Sequence, residues 1–114
     1  MADFTEIDPQ TFAERQAAQP TPDWQLIDVR EPAEVELASL PGFRVYSLSR
    51  HAEWVDRISQ ELDRSKETIV LCHHGMRSAQ MCQWLLTQGF EHVVNLRGGI
   101  DAYSRLVDAR VPLY

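Results

Sequence analysis

Glu67-Thr68-Ile69-Val70-Leu71-Cys72-His73-His74-Gly75-Met76-Arg77-Ser78 runs from an apolar, β-branched stretch into a polar loop and then towards a helix. Thr68 to Leu71 has the length and composition of a buried strand. Ser78 is placed to cap the helix suggested by Ala79, Met81, Cys82, Leu85 and Leu86. Cys72 thus stands where strand gives way to helix, with Arg77 five positions later. A helix N-terminus turns unpaired N–H groups and the positive end of its dipole towards such a loop, and Arg77 adds a full charge. Both favour a thiolate at Cys72, and the same N–H groups would cradle an anionic substrate.

On either side, strand and helix signals alternate. Thr5 to Ile7 reads as a short strand, and Asp8-Pro9 supplies a cap and a first-turn proline for a helix to about Ala18. Pro20-Thr21-Pro22-Asp23 breaks it. Trp24 to Val29 is a second strand, followed by Arg30-Glu31-Pro32 and a short helix that stops before Pro41-Gly42. Arg44 to Leu48 is the third. His51 to Leu62 carries Trp54, Val55, Ile58 and Leu62 at helical spacing, which predicts one helix with one apolar stripe. Beyond the Cys72 loop a helix ends at Gly89, His92 to Leu96 is the last strand, and Gly98-Gly99 turns into a final helix around Ile100 to Val107. Strands separated by helices imply an α/β fold with a mostly parallel sheet covered on both faces. Sites in such sheets form beyond the carboxyl ends of the strands, where Cys72 lies.

The 114 residues suit a single domain spanning 1–114, and 44% hydrophobic content is ample for one core. A formal net charge of −6 argues against nucleic acid or an anionic membrane as partner, because most of the surface would repel either. Met1-Ala2-Asp3-Phe4 lacks a basic region before an apolar core, and no apolar stretch nears membrane-spanning length, so a cytoplasmic location is expected. With two cysteines and no export signal, a reduced reactive thiol is favoured over a disulfide scaffold.

Taken together, Asp28-Val29-Arg30-Glu31, Cys72-His73-His74-Gly75-Met76-Arg77-Ser78 and Leu96-Arg97-Gly98-Gly99-Ile100 resemble, in order and spacing, the rhodanese-like sulfurtransferases. The resemblance covers nearly the whole chain. It implies a three-layer sandwich with a five-stranded parallel sheet and helices on both faces, and Cys72 as the sulfur-carrying nucleophile. Ser39-Leu40-Pro41-Gly42-Phe43 stands where many members have a His-Ile-Pro-Gly-Ala segment, and Tyr103 replaces a frequent tryptophan. The ending Val111-Pro112-Leu113-Tyr114 is similar to the tail of rhodanese domains attached to cofactor-sulfurating enzymes.

The implied activity is that of a thiosulfate sulfurtransferase. Thiolate Cys72 attacks the outer sulfur of thiosulfate, sulfite leaves, and the persulfide passes its terminal sulfur to cyanide or a thiol. No separate base and no cofactor is required, only donors that hold the sulfonate and the persulfide: the loop amides of His73, His74, Gly75, Met76 and Ser78, with Arg77. Asp28 and Arg30 are expected to support the neighbouring loops by hydrogen bonds or a salt bridge. Cys82 is read as core, and His73 and His74 either tune the pocket or face solvent. Zinc held by Cys72, His73, His74, Cys82 or His92 would need four convergent ligands, whereas neighbouring loop residues diverge, so no metal is expected.

Expected partners are a small anionic sulfur donor and a thiol or cyanide acceptor, with a cysteine desulfurase or a sulfur-acceptor protein as macromolecular ones. A persulfide carrier serving a protein partner is the alternative function. A phosphatase or arsenate reductase, the third reading, would need five residues between cysteine and arginine, and here only four separate Cys72 from Arg77.

Overall fold

The computed structural model describes residues 3–19 and 23–114, so the break expected at Pro20-Thr21-Pro22 lies outside the described residues. Strand β1 (Thr5–Ile7) leads into helix α1 (Pro9–Ala18). Its start is as predicted: the Asp8 carboxylate accepts the Thr11 N–H at 2.8 Å and Pro9 occupies the first turn. There follow β2 (Trp24–Asp28), α2 (Pro32–Leu37), β3 (Arg44–Val45), a 3-10 turn (Leu48–Arg50), α3 (His51–Trp54) and α4 (Ile58–Glu61). The chain closes with β4 (Glu67–Leu71), α5 (Met76–Thr87), β5 (His92–Leu96) and α6 (Gly99–Leu106).

All strand pairings are parallel, in the order β1-β5-β4-β2-β3, which bears out the expected five-stranded sheet. The period-two alternation of the central strands feeds two separate cores. Ile69 and Leu71 of β4 join Ile7, Phe12, Leu26, Val94, Leu96 and Ile100 on the face covered by α1 and α6. Val70 and Cys72 join Ile27, Trp54, Ile58, Met81, Cys82 and Leu85 on the face covered by α3, α4 and α5. Strand parity therefore points the Cys72 side chain towards α5. Gly89, at φ +89°, follows the last turn of α5 as the left-handed cap that its position predicted.

Two expected elements are reshaped. The strand predicted over Arg44–Leu48 is only Arg44–Val45, a short exposed edge. Tyr46 N still reaches Asp28 O at 2.8 Å, but Ser47 turns its hydroxyl onto Arg30 O at 2.6 Å and the chain coils into the 3-10 turn at Leu48. The single helix predicted over His51–Leu62 is two, α3 and α4, parted where Arg57 N bonds three residues back to Trp54 O at 3.0 Å. Trp54, Ile58 and Leu62 nevertheless stay buried on one face, so the apolar stripe survives the break. Among the described residues, no helix is long and apolar enough to cross a membrane.

Candidate active site

Cys72 follows the last residue of β4 and is 1% exposed. Its Sγ accepts the Gly75 N–H at 3.0 Å and lies 3.2 Å from the Ser78 hydroxyl. Gly75, at φ +102°, is the residue that caps α5, and Met76 begins the helix. Ser78 is therefore not the helix cap predicted for it. It sits inside the first turn, fully buried, where its hydroxyl faces both Cys72 Sγ and Asn95 Oδ1, the latter at 2.5 Å. The correction follows from glycine's access to left-handed backbone, which turns the chain without a side-chain cap.

The loop is fixed from behind by β5 and α6. Asn95 donates from Nδ2 to Gly75 O at 3.0 Å. Ile100 N donates to Cys72 O at 2.9 Å and Asp101 N to His73 O at 3.1 Å, so the first turn of α6 spends its free amides on the loop's carbonyls. This needs very close approach: a Cβ on Gly99 would lie 2.4 Å from both Cys72 O and His73 O. Gly98-Gly99, read in sequence as a simple turn, thus also shapes the cysteine loop.

Asp28 and Arg30, expected to support the neighbouring loops, are bonded to each other. Both are buried, at 1% and 0% exposure. Arg30 Nη2 donates to Asp28 Oδ2 at 2.7 Å and to Ala38 O at 2.8 Å, and Nε donates to Asp28 Oδ1 at 3.0 Å. A buried guanidinium in this position is tolerable because its donors are satisfied.

Arg77 does not stand free in the loop. Its Nη1 and Nη2 donate to the two oxygens of Glu34 in α2, at 2.6 and 2.9 Å. The Glu34 carboxylate also accepts Glu31 N–H at 3.1 Å and the Tyr114 hydroxyl at 2.8 Å, and Tyr114 in turn accepts from Arg30 Nη1 at 3.0 Å. The Arg77 bonds above all hold the Glu34 carboxyl down to about 2. The Tyr114 ring stacks on His73, with centroids 3.9 Å apart and planes 8° from parallel. Burial, helped by repulsion from His74, lowers the His73 pKa and keeps that ring neutral near pH 7. Met76 projects outward, 79% exposed.

His73 and His74 do not diverge as expected, for their rings lie 3.9 Å apart, and ligand atoms of His73, His74 and Asp101 fall within 4.8 Å of one another. With the rings only 30° from parallel, in-plane lone pairs cannot meet at the ~2 Å of a zinc–nitrogen bond. Cys82 is packed in the core on the buried face of α5, and burial pushes its thiol up to about 12, an inert state. A cleft of about 280 Å³ between Pro32, Ser47, Arg50, Trp54 and Arg57 includes none of the Cys72 loop. Glu34, Asn95 and Tyr114 are the site residues that sequence reasoning missed. Glu34 had a local signal only as a partner of Glu31 at the start of a helix, and Tyr114 only as part of the tail.

Residues 9–106 match the model of the Rhodanese-like domain family. Over 90 residues the chain is 52% identical to the Rhodanese-like/PpiC domain-containing protein 12, chloroplastic, of Arabidopsis thaliana, a match covering 79% of this chain and 30% of that protein. The chain thus spans under a third of that relative's length. It is 34% identical over 100 residues to a sulfurtransferase of Allochromatium vinosum, covering 88% of each. In three dimensions it is similar to a Rhodanese-like domain protein from Staphylococcus aureus, with TM-score 0.76 at 19% identity, covering 97% of this chain and 99% of that one.

Proposed function

The chain belongs to the rhodanese-like domain family, and on that premise we propose that it moves a sulfane sulfur through a persulfide on Cys72, taking it from thiosulfate or another persulfide donor and giving it to cyanide or a thiol. One observation carries the reading: a single sulfur at the end of a central strand, with the Gly75 N–H at 3.0 Å and the Ser78 hydroxyl at 3.2 Å. The Gly75 N–H is placed to hold the sulfur through attack and in the persulfide.

With thiosulfate, the Cys72 thiolate attacks the outer sulfur, the new S–S bond forms as the old one breaks, and sulfite departs with the electron pair. Written from the thiolate, the step balances without a base. Attack by cyanide or a thiolate on the terminal sulfur then restores Cys72. The His73–Ser78 segment binds the donor, and Asp28 with Arg30 keeps the loop's neighbours in place. No cofactor enters these steps.

The exposed Met76 at the loop mouth favours a second reading, a persulfide carrier that docks a cysteine desulfurase or a sulfur-acceptor protein. Two unpaired cysteines suit a reducing compartment such as the cytoplasm. Phosphatase chemistry has less support, because four intervening residues make a tighter loop than phosphate requires.

Intact-mass measurement after thiosulfate treatment tests the proposal. One added sulfur, removable by cyanide, is expected on the parent and on Cys82→Ala, and none on Cys72→Ser. Added sulfur on Cys72→Ser, or its loss from Cys82→Ala, would overturn the assignment.

A further inference from the structure

Arg77 is the only lysine or arginine between Cys72 and Ser78, and the cation expected to draw an anionic donor to the sulfur. Its fork is instead turned end-on to Glu34, with both oxygens engaged at 2.6 and 2.9 Å. That carboxylate is not a loose surface group. It is fixed by Glu31 N–H at 3.1 Å and by the Tyr114 hydroxyl at 2.8 Å, and Tyr114 is fixed by Arg30, which is itself locked in the core on Asp28 and Ala38. The chain of bonds runs from buried protein outward to the loop mouth. The carboxyl, held far below neutral pH, keeps its charge throughout the working range. A free dianion approaching Arg77 therefore meets a standing negative charge bonded to the same guanidinium. Repulsion of that kind scales with the charge on the donor.

We propose that Glu34, positioned by Tyr114, determines donor specificity by disfavouring small inorganic dianions such as thiosulfate and favouring an organic persulfide, whose sulfane sulfur arrives with at most one charge. The inference rests on sulfur transfer at Cys72 and deepens it. In the favoured step the Cys72 thiolate attacks the outer sulfur of R–S–SH. A Cys72 S–S bond forms, the bond between the two donor sulfurs breaks, and R–S⁻ leaves with the electron pair while the proton stays on the transferred sulfur. No oxidant or reductant is consumed.

The test compares single-turnover rates of Cys72 persulfidation, read by intact mass, with thiosulfate and with 2-hydroxyethyl persulfide. Glu34→Gln should raise the thiosulfate-to-persulfide rate ratio roughly ten-fold, the scale of removing one nearby like charge from a dianion's path. Tyr114→Phe, which keeps the ion pair but frees the acid, should raise it about two- to three-fold and decides the matter if Glu34→Gln does not fold. Added salt should speed the thiosulfate reaction of the parent by screening, and Glu34→Gln should lose that rise. A ratio within two-fold of the parent in both folded variants, or an unchanged salt response, overturns the role given to Glu34 while leaving sulfur transfer standing. Failure of the parent to take sulfur from either donor overturns sulfur transfer itself, and this inference with it.

Discussion

Replacing Gly99 by alanine isolates the contact between α6 and the cysteine loop. Two costs combine. At φ +65° an L-residue loses about 1–2 kcal/mol in the left-handed region. The new Cβ would also sit 2.4 Å from Cys72 O and His73 O, both backbone atoms that cannot swing aside, and forced overpacking of this kind costs about 1–3 kcal/mol. The sum is roughly 2–5 kcal/mol, a large part of the ~5–15 kcal/mol that stabilises a small domain. Gly42→Ala supplies the control. Gly42 is also left-handed, at φ +87°, but its added Cβ would meet only Leu26 Cδ1 at an ordinary 3.6 Å, so it should cost about 1–2 kcal/mol. Urea unfolding of the two variants reads the difference, expected at about 1–3 kcal/mol, and persulfidation of Cys72 should slow in Gly99→Ala alone. Equal destabilisation within about 0.5 kcal/mol, with unimpaired sulfur uptake by Gly99→Ala, would refute the reasoning that close approach of α6 shapes the loop.

Arg30→Leu should cost about 3–5 kcal/mol in chemical denaturation, because it strands Asp28 as an unpaired buried carboxylate; a loss below about 1 kcal/mol would show that the pair does not hold these loops. The acid limb of stability should carry a contribution from Glu34. Its folded value, about 2, lies below the ordinary 4.5, so the stabilisation is complete above pH ~4.5 and is lost as pH falls towards 2. Worth about 1–3 kcal/mol after screening, it should flatten the acid limb when removed in Glu34→Gln, and identical limbs in parent and variant would contradict it.

The parts of this fold legible in sequence are those whose cause is local. The β-branched run before Cys72, the Asp8-Pro9 start of α1 and Gly89 after α5 all act within one turn of themselves, and each element forms where those residues put it. The misread parts are decided at a distance. Ser47 leaves β3 for Arg30 O, and the Trp54 indole donates back to Ser47 O at 2.9 Å, so the 3-10 turn and the break after α3 answer to tertiary bonds that no periodicity encodes. Ser78 looked like a cap because serine caps helices, yet Asn95 on β5 lies close enough to bond its hydroxyl in the interior. Glu34 meets Arg77 across 43 positions of chain and Tyr114 across 80, with nothing nearby to mark them as parts of one site.

Cys72 belongs to both halves of the molecule at once. Its side chain lies in the core under α5, while its carbonyl is held by Ile100, a member of the opposite core. The reactive residue is a seam between two layers, and neither layer can fray without disturbing it. A thiol on a peripheral loop would be uncovered by small, frequent local openings. This one is fastened from both sides of the sheet, so the placement of its sulfur among the loop amides is lost only in an opening large enough to part sheet from helix, and the geometry of the site is tied to the cooperative stability of the whole fold.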